Sequence, residues 1–184
     1  MSPIRPLAAV LLCLAAGVAA AGDARTALQA AFGKTLAAKS YRATMTDLKT
    51  GKQVSVVEFQ APDRYRISVP NGPTSVIAGG NMYVVVNGQA MKVPLPAGMK
   101  EQLRGDSGFR RLEASSLFSD LGPGTVGAEP ARKYHWVSTG KGGGSGDAWV
   151  SLRTGQVLQV DSEGKVRVRY SDFNSPSIRI ATPD

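Results

Sequence analysis

Turn signals recur along this sequence roughly every 8 to 12 residues, and that rhythm constrains the fold more than any single motif. Thr50-Gly51, Pro62-Asp63, Asn71-Gly72, Gly79-Gly80-Asn81 and Asn87-Gly88 mark the first half, and Thr154-Gly155, Glu163-Gly164 and Asn174-Ser175-Pro176 the last third. The intervals between most of them are too short to hold a crossover helix. A parallel α/β sheet is therefore excluded, and an antiparallel sandwich or barrel remains.

The residues between the turns agree. Tyr41 to Thr46 alternates in polarity, as does Val54-Ser55-Val56. Tyr65, Ile67 and Val69 share one face of a strand, with Arg64, Arg66 and Ser68 on the other. Met82 to Val86 is a continuous apolar run, which predicts a strand covered on both faces. Helical spacing occurs in fewer places. Ala24–Lys39 carries Ala27, Leu28, Ala31, Phe32 and Leu36 behind Asp23 as N-cap, weakened by Gly33. Pro94-Leu95-Pro96 breaks the strands, and Ala97–Arg104 and Arg111–Leu121 then read as two short helices. The second carries a stripe of Leu112, Leu117, Phe118 and Leu121. Lys141 to Gly146 reads as a flexible hairpin tip between strands. The class is mainly β with helices, α+β, and there is no internal repeat.

The N-terminus has the anatomy of a secretory signal peptide: Arg5, an apolar run from Leu7 to Val18, and an Ala19-Ala20-Ala21 cleavage site. The run is shorter than the roughly 20 residues that span a bilayer. Leu12 before Cys13 argues against lipoprotein-type cleavage at that cysteine. The expectation is a signal peptide over 1–21 and one domain over 22–184. Cleavage removes Cys13, the only cysteine, so the mature chain relies on its core rather than on disulfides.

Motifs that resemble catalytic chemistry fail on context. Gly122-Pro123-Gly124-Thr125-Val126-Gly127 matches a dinucleotide fingerprint as a string. It follows an expected helix and leads into the strand Ala131–Thr139, so a plain loop is expected. Gly33-Lys34-Thr35 lies inside a helix and lacks the upstream glycine of a phosphate loop, with Leu28 in its place. One His (His135) and one Cys leave no Cys/His zinc set, and His135 reads as a structural strand residue. The acidic residues sit mostly beside turns. No enzyme, metal or cofactor is expected. The 22 basic residues exceed the 14 acidic ones, giving a net charge of +8. Lys165, Arg167 and Arg169 alternate with Val166, Val168 and Tyr170. Nucleic-acid platforms place aromatics beside the cations, whereas Tyr170 and Tyr65 face away from theirs. No nucleic acid is expected; the strand reads as a solvated outer face, or failing that a patch for anionic headgroups.

Several segments, in order, carry a resemblance. They are the first helix with Ser40-Tyr41-Arg42-Ala43-Thr44-Met45-Thr46, then Phe59-Gln60-Ala61-Pro62-Asp63-Arg64-Tyr65-Arg66-Ile67, then Ser75-Val76-Ile77-Ala78-Gly79-Gly80-Asn81-Met82-Tyr83-Val84. Later come Ala148-Trp149-Val150-Ser151 with Thr154-Gly155, and Tyr170-Ser171-Asp172-Phe173-Asn174 leading to Ile178-Arg179-Ile180-Ala181-Thr182-Pro183. Together the chain resembles the LolA-type outer-membrane lipoprotein carriers and their LppX-like relatives, bacterial envelope proteins that hold lipid acyl chains. The resemblance implies a strongly curved antiparallel sheet, a half-open barrel, with an N-terminal helix and a helical lid. It implies a monomeric periplasmic carrier for lipoprotein or lipid acyl chains that meets inner- and outer-membrane transport components. With the strand alternation it gives a candidate cavity of Tyr65, Ile67, Val69, Met82, Val84, Met99, Leu117, Phe118 and Leu121; a filled core of the same residues is the alternative. In one respect the chain departs from the carriers. They have an Arg before the proline of the turn, tying sheet to lid, and Ala61 stands there. A structural or sensory envelope module that binds a protein partner is the competing reading.

Overall fold

A computed structural model describes residues 19–99, 103, 116–139 and 143–183, with side chains from Asp23 onward. One helix, α1 (Ala19–Leu36), precedes eleven strands. They are β1 (Ser40–Asp47), β2 (Gln53–Gln60), β3 (Arg64–Ser68), β4 (Thr74–Ala78), β5 (Asn81–Val86) and β6 (Gln89–Val93), then β7 (Ser116–Val126), β8 (Glu129–Ser138), β9 (Ser145–Ser151), β10 (Val157–Ser162) and β11 (Val166–Ser171). All form one antiparallel sheet in the order β6-β5-β4-β3-β2-β1-β11-β10-β9-β8-β7. The sheet is open, with β6 and β7 at its edges. Every hairpin joins neighbours except at the centre, where the first strand pairs with the last (Arg42 with Ser171, Met45 with Val168). Among the described residues, no helix is long and apolar enough to cross a membrane.

Turn chemistry builds the hairpins. Asn87 and Gly88 both have positive φ, at 51° and 80°, the combination a two-residue hairpin between β5 and β6 demands. Asp47 caps the β1–β2 turn by accepting from the backbone N–H groups of Lys49 and Thr50, both at 2.8 Å. Alternation then sorts the faces. Tyr41 and Ala43, Val57 and Phe59, Tyr65, and Ile77 point to one side and form a buried cluster. Arg42, Glu58 and Arg66 point to the other.

On the first side α1 lies over β7–β10. Its inward stripe is Ala24, Leu28, Ala31 and Thr35, at helical spacing. Two alanines in four positions let the helix approach closely, so Leu28 packs into a cluster with Phe118, Tyr134, Trp136, Ala148, Val150 and Val157. The Thr35 hydroxyl joins the layers: it donates to the Ala31 carbonyl (2.9 Å) and accepts from the Val157 N–H (3.0 Å). The opposite face is crossed by the C-terminal segment. Ile178 and Ile180 bury against Val76 and Ala78. Arg64 and Arg66 donate to the carbonyls of Ile180 and Arg179, both at 2.8 Å.

Several sequence expectations are corrected. The helix starts at Ala19 rather than behind Asp23, and ends at Leu36 rather than Lys39. Residues 116–121 of the expected helix Arg111–Leu121 belong to strand β7, and 111–115 lie outside the described residues. Leu117 and Phe118 point to opposite faces of that strand, so their helical spacing was coincidental. The glycine-rich segment Gly122–Gly127 is no loop up to Val126 but the far half of β7, beyond a bulge between Asp120 and Gly122. Pro123 is tolerated because β7 is an edge strand. β5 is half-buried rather than covered on both faces. Ser145 and Gly146 belong to β9 rather than to a flexible tip, with Gly146 packed beneath the Trp136 ring. Of the expected helix Ala97–Arg104, Met99 and Leu103 are helical, Ala97 and Gly98 form a turn, and the rest lies outside the described residues.

Candidate functional site

α1 contacts β7 and β10 but runs out before it can cover β1–β6. Where its last turn ends, the concave face holds an apolar cavity of ≈ 220 Å³. Phe32, Thr35 and Leu36 form the helix side. Tyr41, Ala43 and Met45 of β1 form the floor, flanked by Val57 of β2 and by Val168 and Tyr170 of β11, and Leu103 closes it from the insert after β6. The floor exists because β1 and β11 pair: Ala43 is directly opposite Tyr170 and Met45 opposite Val168, so two alternating strands contribute facing side chains. Ala43 supplies the space, since its methyl group sits where its neighbours carry large side chains.

Aromatic rings fix the wall. Tyr41 packs on Phe59 at 5.1 Å between centroids and edge-on to Tyr170 at 5.8 Å, and Phe59 continues to Tyr65 at 5.2 Å. Such tilted contacts hold ring orientation as well as burying area. Burial pushes the Tyr170 phenol above its ordinary range. The Thr35 hydroxyl is committed to its two backbone partners, so the cavity offers an alkyl group little competition from water.

The structure distributes the nine residues named from sequence. Tyr65 is fully buried in the aromatic wall, and Ile67, Met82 and Met99 pack partly buried against the same cluster. Val84 is half-buried on β5, and Val69 is exposed beyond the end of β3. Phe118 is buried under α1, in the other cluster, where the Arg25 guanidinium lies 5.2 Å from its ring centre. Leu117 and Leu121 are exposed on β7, at 67% and 51%. None of the nine is among the residues lining the cavity. Of the lining residues missed from sequence, Phe32 and Leu36 were visible only as helix positions, and those of β1 and β11 only as alternation in Tyr41-Arg42-Ala43-Thr44-Met45 and Val166 to Tyr170. What brings them together is the pairing of the chain's first and last strands.

The convex face is built of ion pairs. Glu58 lies between Arg42 (2.9 Å) and Arg66 (2.8 Å). Burial pushes its carboxyl up, but hydrogen bonds from both guanidinium groups outweigh this and hold it below the usual range. Asp147 accepts from His135 (2.7 Å) and Lys133 (2.8 Å), with the same balance and direction. His135 is thus held by a strand-to-strand hydrogen bond to Asp147, which also pairs with Lys133. The cationic stripe of β11 is not simply solvated: Arg167 pairs with Asp161 at 2.7 Å, and Arg169 donates to Gln159 at 3.0 Å. A wider, more open depression of ≈ 770 Å³ has a mixed lining, with Val126, Leu158 and Phe173 beside the charged Glu129, Arg153, Arg169 and Asp172. Ala61 sits in the β2–β3 turn and contributes its N–H to the Lys39 carbonyl at 2.8 Å.

An open, curved antiparallel sheet with one helix across its concave side is the LppX-like fold. The chain is similar to lipoprotein LppX of Mycobacterium tuberculosis, with a TM-score of 0.65 and 12% identity over 87% of this chain and 99% of that one. It is similar also to LprF of Mycobacterium bovis, with a TM-score of 0.63 and 16% identity over 88% and 97% of the two chains. No family model matches the sequence, and no curated protein matches it significantly.

Proposed function

We propose that the protein binds an acyl chain of a lipid or lipoprotein in the cavity under the end of α1, and carries it through the bacterial envelope after export and removal of residues 1–21. The observation that carries this reading is the ≈ 220 Å³ apolar cavity on the concave face. It exceeds the roughly 150 Å³ that admits benzene to an engineered core. It falls short of the roughly 300–1,000 Å³ of a site for a drug-sized ligand. It therefore takes one alkyl segment at a time, and a longer chain continues over Ile67, Met82 and Met99, which adjoin Val57 on the same face. Each CH₂ so buried contributes about 0.8 kcal/mol. Methionines at Met45, Met82 and Met99 suit chains of varied shape. Transport components of the inner and outer membranes are the partners such a carrier would serve.

Solvent extraction of the purified protein, followed by mass spectrometry, tests the reading. A stoichiometric acyl lipid is the expected result. A lipid-free protein that also fails to bind a fluorescent fatty acid would rule it out.

A further inference from the structure

Nine large apolar side chains are exposed among the described residues, and six of them gather at one end of the half-barrel. The strand registers define that end. Asp47 pairs with Val166, Ser68 with Thr74, Val86 with Gln89, Ser162 with Gly146 and Ser116 with Ser138. These pairs form one rim, and Val54, Val69, Val86, Leu117, Val137 and Val166 all lie on it or within two residues of it. Among the described residues, Leu152 is the one exposed large apolar side chain at the opposite rim, which also carries Asp63, Arg64, Glu129 and Arg153.

The apolar rim also carries cations. Lys49 and Lys52 are exposed in the β1–β2 turn, beside the Asp47 carboxylate that accepts from the turn's backbone N–H groups and attracts Lys49. α1 points the same way. Arg25, near its start, donates to the Ser116 carbonyl on this rim at 2.8 Å, while Thr35, near its end, meets Val157 at the opposite one. Ala19, six residues before Arg25, lies about 9 Å further towards the apolar rim.

We propose that this rim docks on a phospholipid bilayer surface. Valine and leucine side chains interleaved with lysine match an interface of acyl chains beneath anionic headgroups, where lysine stems extend along the apolar layer and their charges reach the phosphates. A protein partner would be expected to meet a contiguous patch on one face. These six side chains instead ring the strand ends on both faces, the arrangement an end-on approach to a plane requires. Met45 and Val168, which line the cavity, are each two residues from this rim. The docking does not depend on what the cavity holds.

Vesicle flotation tests it, with phosphatidylethanolamine containing phosphatidylglycerol in one arm and phosphatidylcholine alone in the other. Wild type should float with the anionic vesicles. The triple variant Val54→Glu/Val86→Glu/Val166→Glu should bind at least about tenfold more weakly, and Leu152→Glu should match wild type. Lys49→Glu and Lys52→Glu should each cost about fivefold on the anionic vesicles and little on phosphatidylcholine. All variants keep the N-terminus of the wild type, so binding through residues 1–21 alone would leave the triple variant unchanged and overturn the proposal. Failure of wild type to float, or an equal loss in Leu152→Glu, would also overturn it. Circular dichroism establishes that each variant is folded. Should the triple variant not fold, the single variants Val86→Ser and Leu117→Ser take its place, with a partial loss expected in each; no loss in either would overturn the proposal.

Discussion

The two halves of the concave face share one sheet and one strand geometry, yet one is solid and the other hollow. Over β7–β10, α1 presents alanines and Leu28 to Trp136, Tyr134 and Val157, and the layers close completely. Over β11, β1 and β2 the helix has ended, and Ala43 leaves a space that Leu36 and Leu103 only border. The difference lies in what covers the sheet rather than in the sheet. α1 runs from one rim to the other, and a helix is only about 10 Å across, whereas the sheet is eleven strands wide at roughly 4.8 Å each, so α1 alone fills only part of the face.

The largest test of this contrast removes mass from the solid half. Trp136→Ala should cost about 4 kcal/mol in urea denaturation, because the packed layer cannot collapse into the gap. The sharper test adds mass to both halves. Ala148→Leu overpacks the region under α1 and should cost about 2 kcal/mol, whereas Ala43→Leu grows into the cavity and should change stability by less than about 1 kcal/mol. The same Ala43→Leu variant should lose binding of a fluorescent fatty acid. Equal costs at the two alanines would show that the halves are packed alike. At the boundary, Thr35→Val leaves the Val157 N–H without its acceptor and should cost about 1–2 kcal/mol by thermal melting.

The smallest effect is electrostatic and belongs to the convex side of the hollow half. Glu58 has a folded-state pKa below its ordinary 4.5, so its contribution to stability is present above that value and is lost as pH falls through the folded pKa. Glu58→Gln should flatten the acid limb of the stability curve by less than about 1 kcal/mol, since Arg42 is partly solvated. An unchanged acid limb would show that the pair with Arg42 and Arg66 adds nothing.

Local chemistry made β1, β2 and β3 legible, and located β5 if not its exposure. The turns there are short, the alternation of the first three strands is clean, and residues such as Tyr65 and Ile67 could be assigned a shared face from spacing alone. β7 was hidden for a physical reason. Leu117 and Phe118 are adjacent and both apolar, which masks alternation, and Gly122-Pro123-Gly124 imitates a loop where an edge strand with a bulge can carry it. The cavity was hidden for another. Its floor joins Ala43 to Tyr170 and Met45 to Val168, and no local pattern announces that strands so far apart in sequence will be neighbours. Hydrophobicity also ranked candidates by size, which favoured Leu117 and Leu121 over Ala43, although a cavity is marked by the small residue.

The central seam has a consequence for how the protein comes into being. Arg42 of β1 and Asp172 just beyond β11 are 130 positions apart and meet at the middle of the sheet. A chain delivered N-terminus first can build β1 to β6 as local hairpins, but β1 keeps an unpaired edge until the final strand arrives. For that interval the nascent protein exposes the backbone groups that template association with other strands. Closing so long a loop makes the last step slow as well as late. A chain cut short ahead of β11 would thus hold two separate sheets, β1–β6 and β7–β10, its future cavity floor still an open flank.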